Sequence, residues 1–338
     1  MVTPIQIFKF AIPVLIVGFI SNGIVQAQNP SDEVPALCKQ VGQLEIPKTD
    51  QTPKDKELSI EACKSDDADF DQAKDKGSTL VRYCAMKQKK SDDSAVFGGS
   101  STLMMLYANG FGVQKNIPLA EKFACGLQTA PTEMESRLQH LENLKIKVGS
   151  VPFDICDDIT SGLMMGHCEA RREALKKKTR DAKFMAIVAR WPQPHRNAFA
   201  KLQAASKAFI QARANDEVDL SGTARSMLII QEESIQERDF IQSVEAFEQK
   251  KDNRYASQVL FQENKKMSQL LKRIRETKDE TIRGTVTNAQ IVTTQEKWTK
   301  YLDAWIEFAK LRYPSVASDS VAAWFTKKRN HMLSSFSN

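Results

Sequence analysis

Six cysteines carry most of the chemistry that this 338-residue sequence could perform: Cys38, Cys63, Cys84, Cys125, Cys156 and Cys168. None forms a CxxC pair, so the close ligand spacing of a zinc site is missing and no metal or other cofactor is expected. A thiol nucleophile needs a histidine partner. Only His167 adjoins a cysteine, and adjacency in sequence does not make a catalytic pair. An even count, confined to the first half of the chain, reads instead as up to three disulfides in an oxidising compartment. Cys156 and Cys168 are the one pair with a geometric argument. They are 12 residues apart. On a straight helix that is about 18 Å, well beyond the ~7 Å Cα separation a bridge can span. A bridge between them requires the chain to turn back, and Gly162 and Gly166 are the expected break points. The pairing of Cys38, Cys63, Cys84 and Cys125 stays open. Asp157 and Asp158 form the one suggestive acidic pair near an irregular turn, which is too little for a matched general acid and base. An enzyme is not expected.

The N-terminus points to the same compartment. Lys9 is the only charge in the first 31 residues. Phe10–Ile20 follow without charge, about 16 Å of helix and half the span of a bilayer core. Small Val25 and Ala27 stand at −3 and −1 of a cut after Ala27. This predicts a secretory signal over residues 1–27, with Gln28 as the mature start and the periplasm or the exterior as the destination. No other apolar run approaches membrane length, so no stable membrane insertion is expected after cleavage.

The elements that must position these residues are helical. Glycine is 14 of 338 residues, about 4% against a usual ~7%, which disfavours a turn-dense β architecture. Residues 28–58 hold Pro30, Pro35, Pro47 and Pro53 and read as an irregular N-terminal arm, pinned by Cys38. Residues 59–150 have helical spacing and end on the breakers Gly149, Ser150 and Pro152. From 151 to 338 long helices are expected, interrupted at Trp191–Pro194, near Asp252, at Gly284 and at Pro314. The fold class is therefore all-α: helical hairpins, then long-helix bundle modules. Residues 28–150 hold 16 Lys+Arg and 18 Asp+Glu, net −2, and residues 151–338 hold 31 and 24, net +7. The signs mix along helices, as at Glu232, Glu233, Glu237, Arg238 and Asp239. That pattern is a solvated helix face, and no nucleic-acid partner is expected.

Within 100–127 the chain reads SSTLMMLYANGFGVQKNIPLAEKFACGL. Leu103, Leu106 and Tyr107 share a helical face, Gly110 and Gly112 close the helix, and Ala120, Phe123 and Ala124 open a second apolar face. These positions resemble a Sel-one-like repeat, a helix–turn–helix unit related to tetratricopeptide repeats. A looser earlier copy at 60–90 matches Phe70, Ala73 and Cys84 to Ile117, Ala120 and Cys125. Stacked repeats need about three units to stand alone, so this unit must lean on disulfides or on the second half.

From residue 154 the sequence FDICDDITSGLMMGHCEARREALKKK places a short Cys-bounded segment ahead of amphipathic helices. With Cys156, Asp157, Thr160, Met165, Cys168, Phe209 and Arg213, it resembles the lysozyme-inhibitor LprI-like family of secreted bacterial helical domains. Gln295, Trp298, Tyr301, Asp303 and Trp305, then Thr326, Arg329 and Leu333, resemble the family's aromatic helix and its closing helix. Aligning Phe209 with Trp298 gives an offset of 89 residues and two tandem modules, about 154–250 and 253–336. The first departs from the family at Gln211 and Ala212; the second lacks the cysteines and has Leu302 beside Asp303. The Trp298/Trp305 stripe is expected in the core, and Arg213 and Asp303 are expected in ion pairs.

These resemblances imply a binding protein: an inhibitor or immunity protein acting on a lysozyme-type or other envelope-directed hydrolase. The alternative is an envelope scaffold. Removing Lys9 with the signal leaves +6 − 1 = +5, a charge that complements an acidic partner better than a cationic lysozyme. The expected interaction surface comprises Tyr107, Asn109, Phe111, Asp157 and Asp158, on the repeat turn and the Cys156–Cys168 turn.

Overall fold

A computed structural model of the chain describes residues 30–53, 63, 70–73, 78–91, 95–146, 151–251, 254–277 and 281–337. Residues 1–27, where a secretory signal is expected, lie outside these residues, as do Gly149, Ser150, Asp252 and most of the 54–69 stretch. Eleven α-helices and no strand are found among the described residues. No helix there is long and apolar enough to cross a membrane.

The N-terminal arm is not irregular throughout. Pro30–Gly42 forms α1. Pro30 opens it, where backbone N–H groups have no partner in any case, while Pro35 lies inside and removes one ladder bond. Tertiary links hold the helix despite that loss. Cys38 is bonded to Cys125, with Cα atoms 5.6 Å apart. The Lys122 ammonium donates to the carbonyls of Gly42 (3.0 Å) and Leu44, occupying acceptors at the helix end. A short 3-10 turn, Lys48–Asp50, follows.

Four helices then build a first core: α2 (Ser78–Ser91), α3 (Gly99–Asn109), α4 (Ile117–Cys125) and α5 (Pro131–Ile146). Every residue of α3 from Gly99 to Ala108 is buried, because α2 and α4 cover it on different sides. Gly110 ends α3 in the left-handed region at φ 72°, its N–H returning to the Leu106 carbonyl. Asn116 then caps α4 by accepting from the Leu119 N–H, and its own N–H donates to the Tyr107 carbonyl. Tyr107 and Phe123 stack across this hairpin at 5.8 Å. A second disulfide joins Cys63 to Cys84 of α2.

The second core uses α6 (Gly162–Val188), α7 (Gln193–Asp216), α8 (Arg225–Glu248), α9 (Ser257–Glu276), α10 (Asn288–Arg312) and α11 (Ser318–Ser334). Among the described residues the chain leaves helix at 189–192, 249–251, 254–256, 277, 281–287 and 313–317, where Pro, Gly and polar residues cluster. A further break at Glu217–Ala224 escapes the sequence reading, although Asp219, Ser221 and Gly222 are turn residues. There Asp219 accepts from the N–H groups of Ser221 (3.0 Å) and Thr285 (3.2 Å), clasping this turn to the one after α9.

The interior is aromatic. Trp305 is fully buried, stacks on Phe325 at 4.6 Å and meets Phe240 edge-on at 5.8 Å. Phe209 of α7 stacks on Tyr301 of α10 at 5.3 Å. The two stretches aligned at an offset of 89 residues thus pack against each other in one core that runs from Phe184 to Phe336. Helix α6 belongs to both cores. Met164, Met165 and Cys168 face the first, and Phe184 and Val188 face the second.

Gly162 and Gly166 are not break points. Both lie within α6, and the chain reverses before it, at 159–161. Their function is close approach. A Cβ on Gly162 would meet the Thr223 carbonyl at 2.3 Å, and one on Gly166 would meet Ser226 at 2.9 Å. The missing Cβ atoms let α6 lie directly on the turn into α8.

Candidate functional site

The segment 151–161 joins the two cores and is held on several sides. Its Phe153, Ile155 and Ile159 point into the first core, leaving Val151, Pro152, Asp157 and Thr160 exposed. Asp154 caps a 3-10 turn at Ile155–Asp158 by accepting from the Cys156 N–H at 2.9 Å. Cys156 is bonded to Cys168, with Cα atoms 5.6 Å apart. Asn109 clamps Phe153 from below: its Oδ1 accepts from the Phe153 N–H at 2.7 Å and its Nδ2 donates to the Phe153 carbonyl at 2.9 Å. Arg171 reaches Asp154 at 2.8 Å and grips Asp71 through two hydrogen bonds, at 2.6 and 2.9 Å. His140 meets Asp158 at 3.2 Å.

Glu133 holds the far end of the segment. It accepts from the N–H groups of Thr160 (2.8 Å) and Ser161 (2.6 Å) and from the hydroxyls of Thr160 (3.1 Å) and Thr129 (2.5 Å). Burial pushes its carboxyl pKa up, but these hydrogen bonds outweigh burial and bring it to about 2. The folded pKa lies below the ordinary 4.5. Glu133 therefore contributes stability that is present above about pH 4.5 and lost as pH falls toward about 2. Urea unfolding of the oxidised chain between pH 6 and pH 3 should show this loss, and Glu133→Gln should flatten that part of the profile. An identical profile in the variant contradicts the assignment.

The expected interaction surface divides. Asp157 is exposed on the turn; partial desolvation and then the charge of Asp154 push its carboxyl pKa up. Asp158 is occupied by His140, and Asn109 by Phe153 and Met105. Phe111 is half-buried, its ring 5.6 Å from that of Phe70. Tyr107 presents nothing to solvent: it is fully buried and its hydroxyl donates to Asp50 at 3.1 Å. The apolar face that makes α3 a good central helix also takes its tyrosine inward. Burial, then Asp50, raises the Tyr107 pKa. The repeat turn and the Cys156–Cys168 turn are nevertheless neighbours, because Asn109 joins them. Glu133, Asp154 and Arg171 escape the sequence reading; the signal available was Arg171 three residues beyond Cys168, one helical turn along the same face.

The residues matched to the aromatic and closing helices meet in the second core. Glu217 accepts from Arg329 at 2.8 and 2.5 Å and from Arg213 at 2.6 Å, while Gln295 accepts from Arg329 Nε at 2.9 Å. Arg213 also pairs with Glu232 at 3.0 Å. The Arg329 guanidinium lies over the Phe209 ring at 5.6 Å. With Arg329 and Glu217 both at zero side-chain exposure, this network is framework. Asp303, by contrast, is exposed.

Among the described residues no group of three His, Cys, Asp or Glu side chains is placed to hold a metal ion. Comparison with protein-family models, with curated proteins and with solved structures gave no match.

Proposed function

We propose that the chain is an exported binding protein of an oxidising extracytoplasmic compartment, the periplasm or the exterior, and that it inhibits a lysozyme-type or other envelope-directed hydrolase. The observation that carries this reading is the 151–161 segment. A disulfide, Asn109, Glu133, His140 and Arg171 immobilise it, while Val151 (74% exposed) and Asp157 face outward. A recognition loop ordered before binding avoids the entropic cost of ordering at the interface, and loops on rigid scaffolds are where recognition concentrates. The Sel-one-like and LprI-like resemblances support the same reading, as do three disulfides in the first half of the chain.

Export predicts a mature N-terminus at Gln28, read by N-terminal sequencing of the protein from the periplasmic fraction. An intact Met1 in a membrane fraction contradicts it. Inhibition itself is tested with a loop variant, Val151→Asp with Asp157→Arg. These exposed positions tolerate exchange, so the variant should fold as the parent does and lose at least about tenfold in affinity for the hydrolase. If it inhibits as well as the parent, the segment is not the binding face; if no hydrolase is inhibited by either, the scaffold reading replaces this one.

A further inference from the structure

Helices α6, α7 and α8 diverge around a cleft of about 450 Å³ that the proposed function does not use. That volume lies within the usual range for small-molecule pockets, roughly 300–1,000 Å³. Its floor is apolar: Phe184 from α6, Ile210 from α7, and Phe240 and Ile241 from α8. Met185, half-exposed, extends the apolar surface to the lip.

The rim is charged, and its charges are unevenly satisfied. Lys177 is spent on Glu237 at 2.5 Å and on Asp181 at 3.5 Å. Arg180 adds a bond to Glu237 at 3.1 Å and is itself held by Glu173 at 2.7 Å. Lys207 stands exposed on α7. Glu233 on α8 faces this set half-buried. Burial and then Glu237 push its pKa up, and the charges of Lys177 and Lys207 do not offset them. With the ion-paired residues of the rim included, four carboxylates, Glu173, Asp181, Glu233 and Glu237, face three cations, Lys177, Arg180 and Lys207. An additional cation near Glu233 would relieve the unfavourable ionisation of that carboxyl; an additional anion would aggravate it.

We propose that this cleft binds a cationic amphiphile, its apolar chain on the Phe184–Phe240 floor and its positive head on Glu233. The site is separate from the 151–161 segment and does not rest on the hydrolase reading.

The experiment is calorimetric titration of the full oxidised chain with three ten-carbon probes below their micellar concentrations: decyltrimethylammonium, decyl sulfate and decyl maltoside. The cation should bind one to one and at least about tenfold tighter than the other two. Glu233→Gln, a rim exchange, should bring the cation to within about threefold of the maltoside. Ile210→Trp, which fills the floor, should abolish binding of all three. Circular dichroism checks that both variants fold, and the Glu233 variant carries the test if the Trp variant does not. Absence of cation binding, any other order of affinities, or an unchanged affinity in Glu233→Gln overturns the proposal.

Discussion

Replacing Glu217 by Ala should cost the fold about 3–5 kcal/mol, the range for breaking a buried ion pair from one side. Glu217 takes two hydrogen bonds from Arg329 and one from Arg213 at zero side-chain exposure. Without it the Arg329 guanidinium is stranded in the aromatic core, with Gln295 as its remaining acceptor and Phe209 beneath it. Desolvating that charge without a carboxylate is what makes the loss large. Urea unfolding should show a marked fall in midpoint, or no folded second core at all. Removing Glu307, which pairs with Lys310 on the exposed face of α10, should leave the midpoint unchanged within error. Equal midpoints for the two variants contradict the description of this network as the framework of the second core.

Removing the Cys38–Cys125 bridge should cost a comparable amount. It closes 87 residues, which the chain-entropy argument converts to about 4–5 kcal/mol, against about 3 kcal/mol for the 12-residue Cys156–Cys168 loop. The effect should be local. All three bridges lie in the first core or at its edge, and the core from Phe184 to Phe336 contains none. Hydrogen exchange on the Cys38→Ser, Cys125→Ser chain should therefore show α1 to α4 losing protection while α7, α10 and α11 retain theirs. Uniform loss along the chain, or none, contradicts this division of labour.

Much of the helical framework is legible in the residues. Leu103, Leu106, Ala120 and Phe123 define a hairpin by spacing, and Trp298 and Trp305 announce a core seven residues apart on one face. The errors share a cause: residues that sequence reads as local punctuation were used for tertiary contact. Pro30 and Pro35 read as breakers, yet α1 persists because Cys125 and Lys122 hold it. Gly162 and Gly166 read as a turn, yet they serve close approach to Thr223 and Ser226. The Asp219–Gly222 turn carries no proline and a single glycine, so spacing alone does not separate it from the helices on either side. The site was less legible still. Asp157 is placed on a turn by its neighbours in sequence, but its rigidity comes from Asn109, Glu133, His140 and Arg171. Asn109 lies 44 residues from Phe153 and Arg171 lies 100 residues from Asp71. Spacing along a helix carries no information about such pairings. Tyr107 marks the opposite failure: its position in the repeat turn suggested exposure, whereas α2 and α4 enclose α3 on both sides.

The proposed function is inhibition of a hydrolase through the 151–161 segment. Its most direct test is a titration of purified, oxidised protein from Gln28 onward against lysozymes and other envelope-directed hydrolases, with residual activity as the readout. Saturable inhibition of at least one such enzyme at about one-to-one stoichiometry is expected, weakened by Val151→Asp with Asp157→Arg and by reduction of Cys156–Cys168. Full residual activity of every enzyme at micromolar excess of folded protein would contradict it.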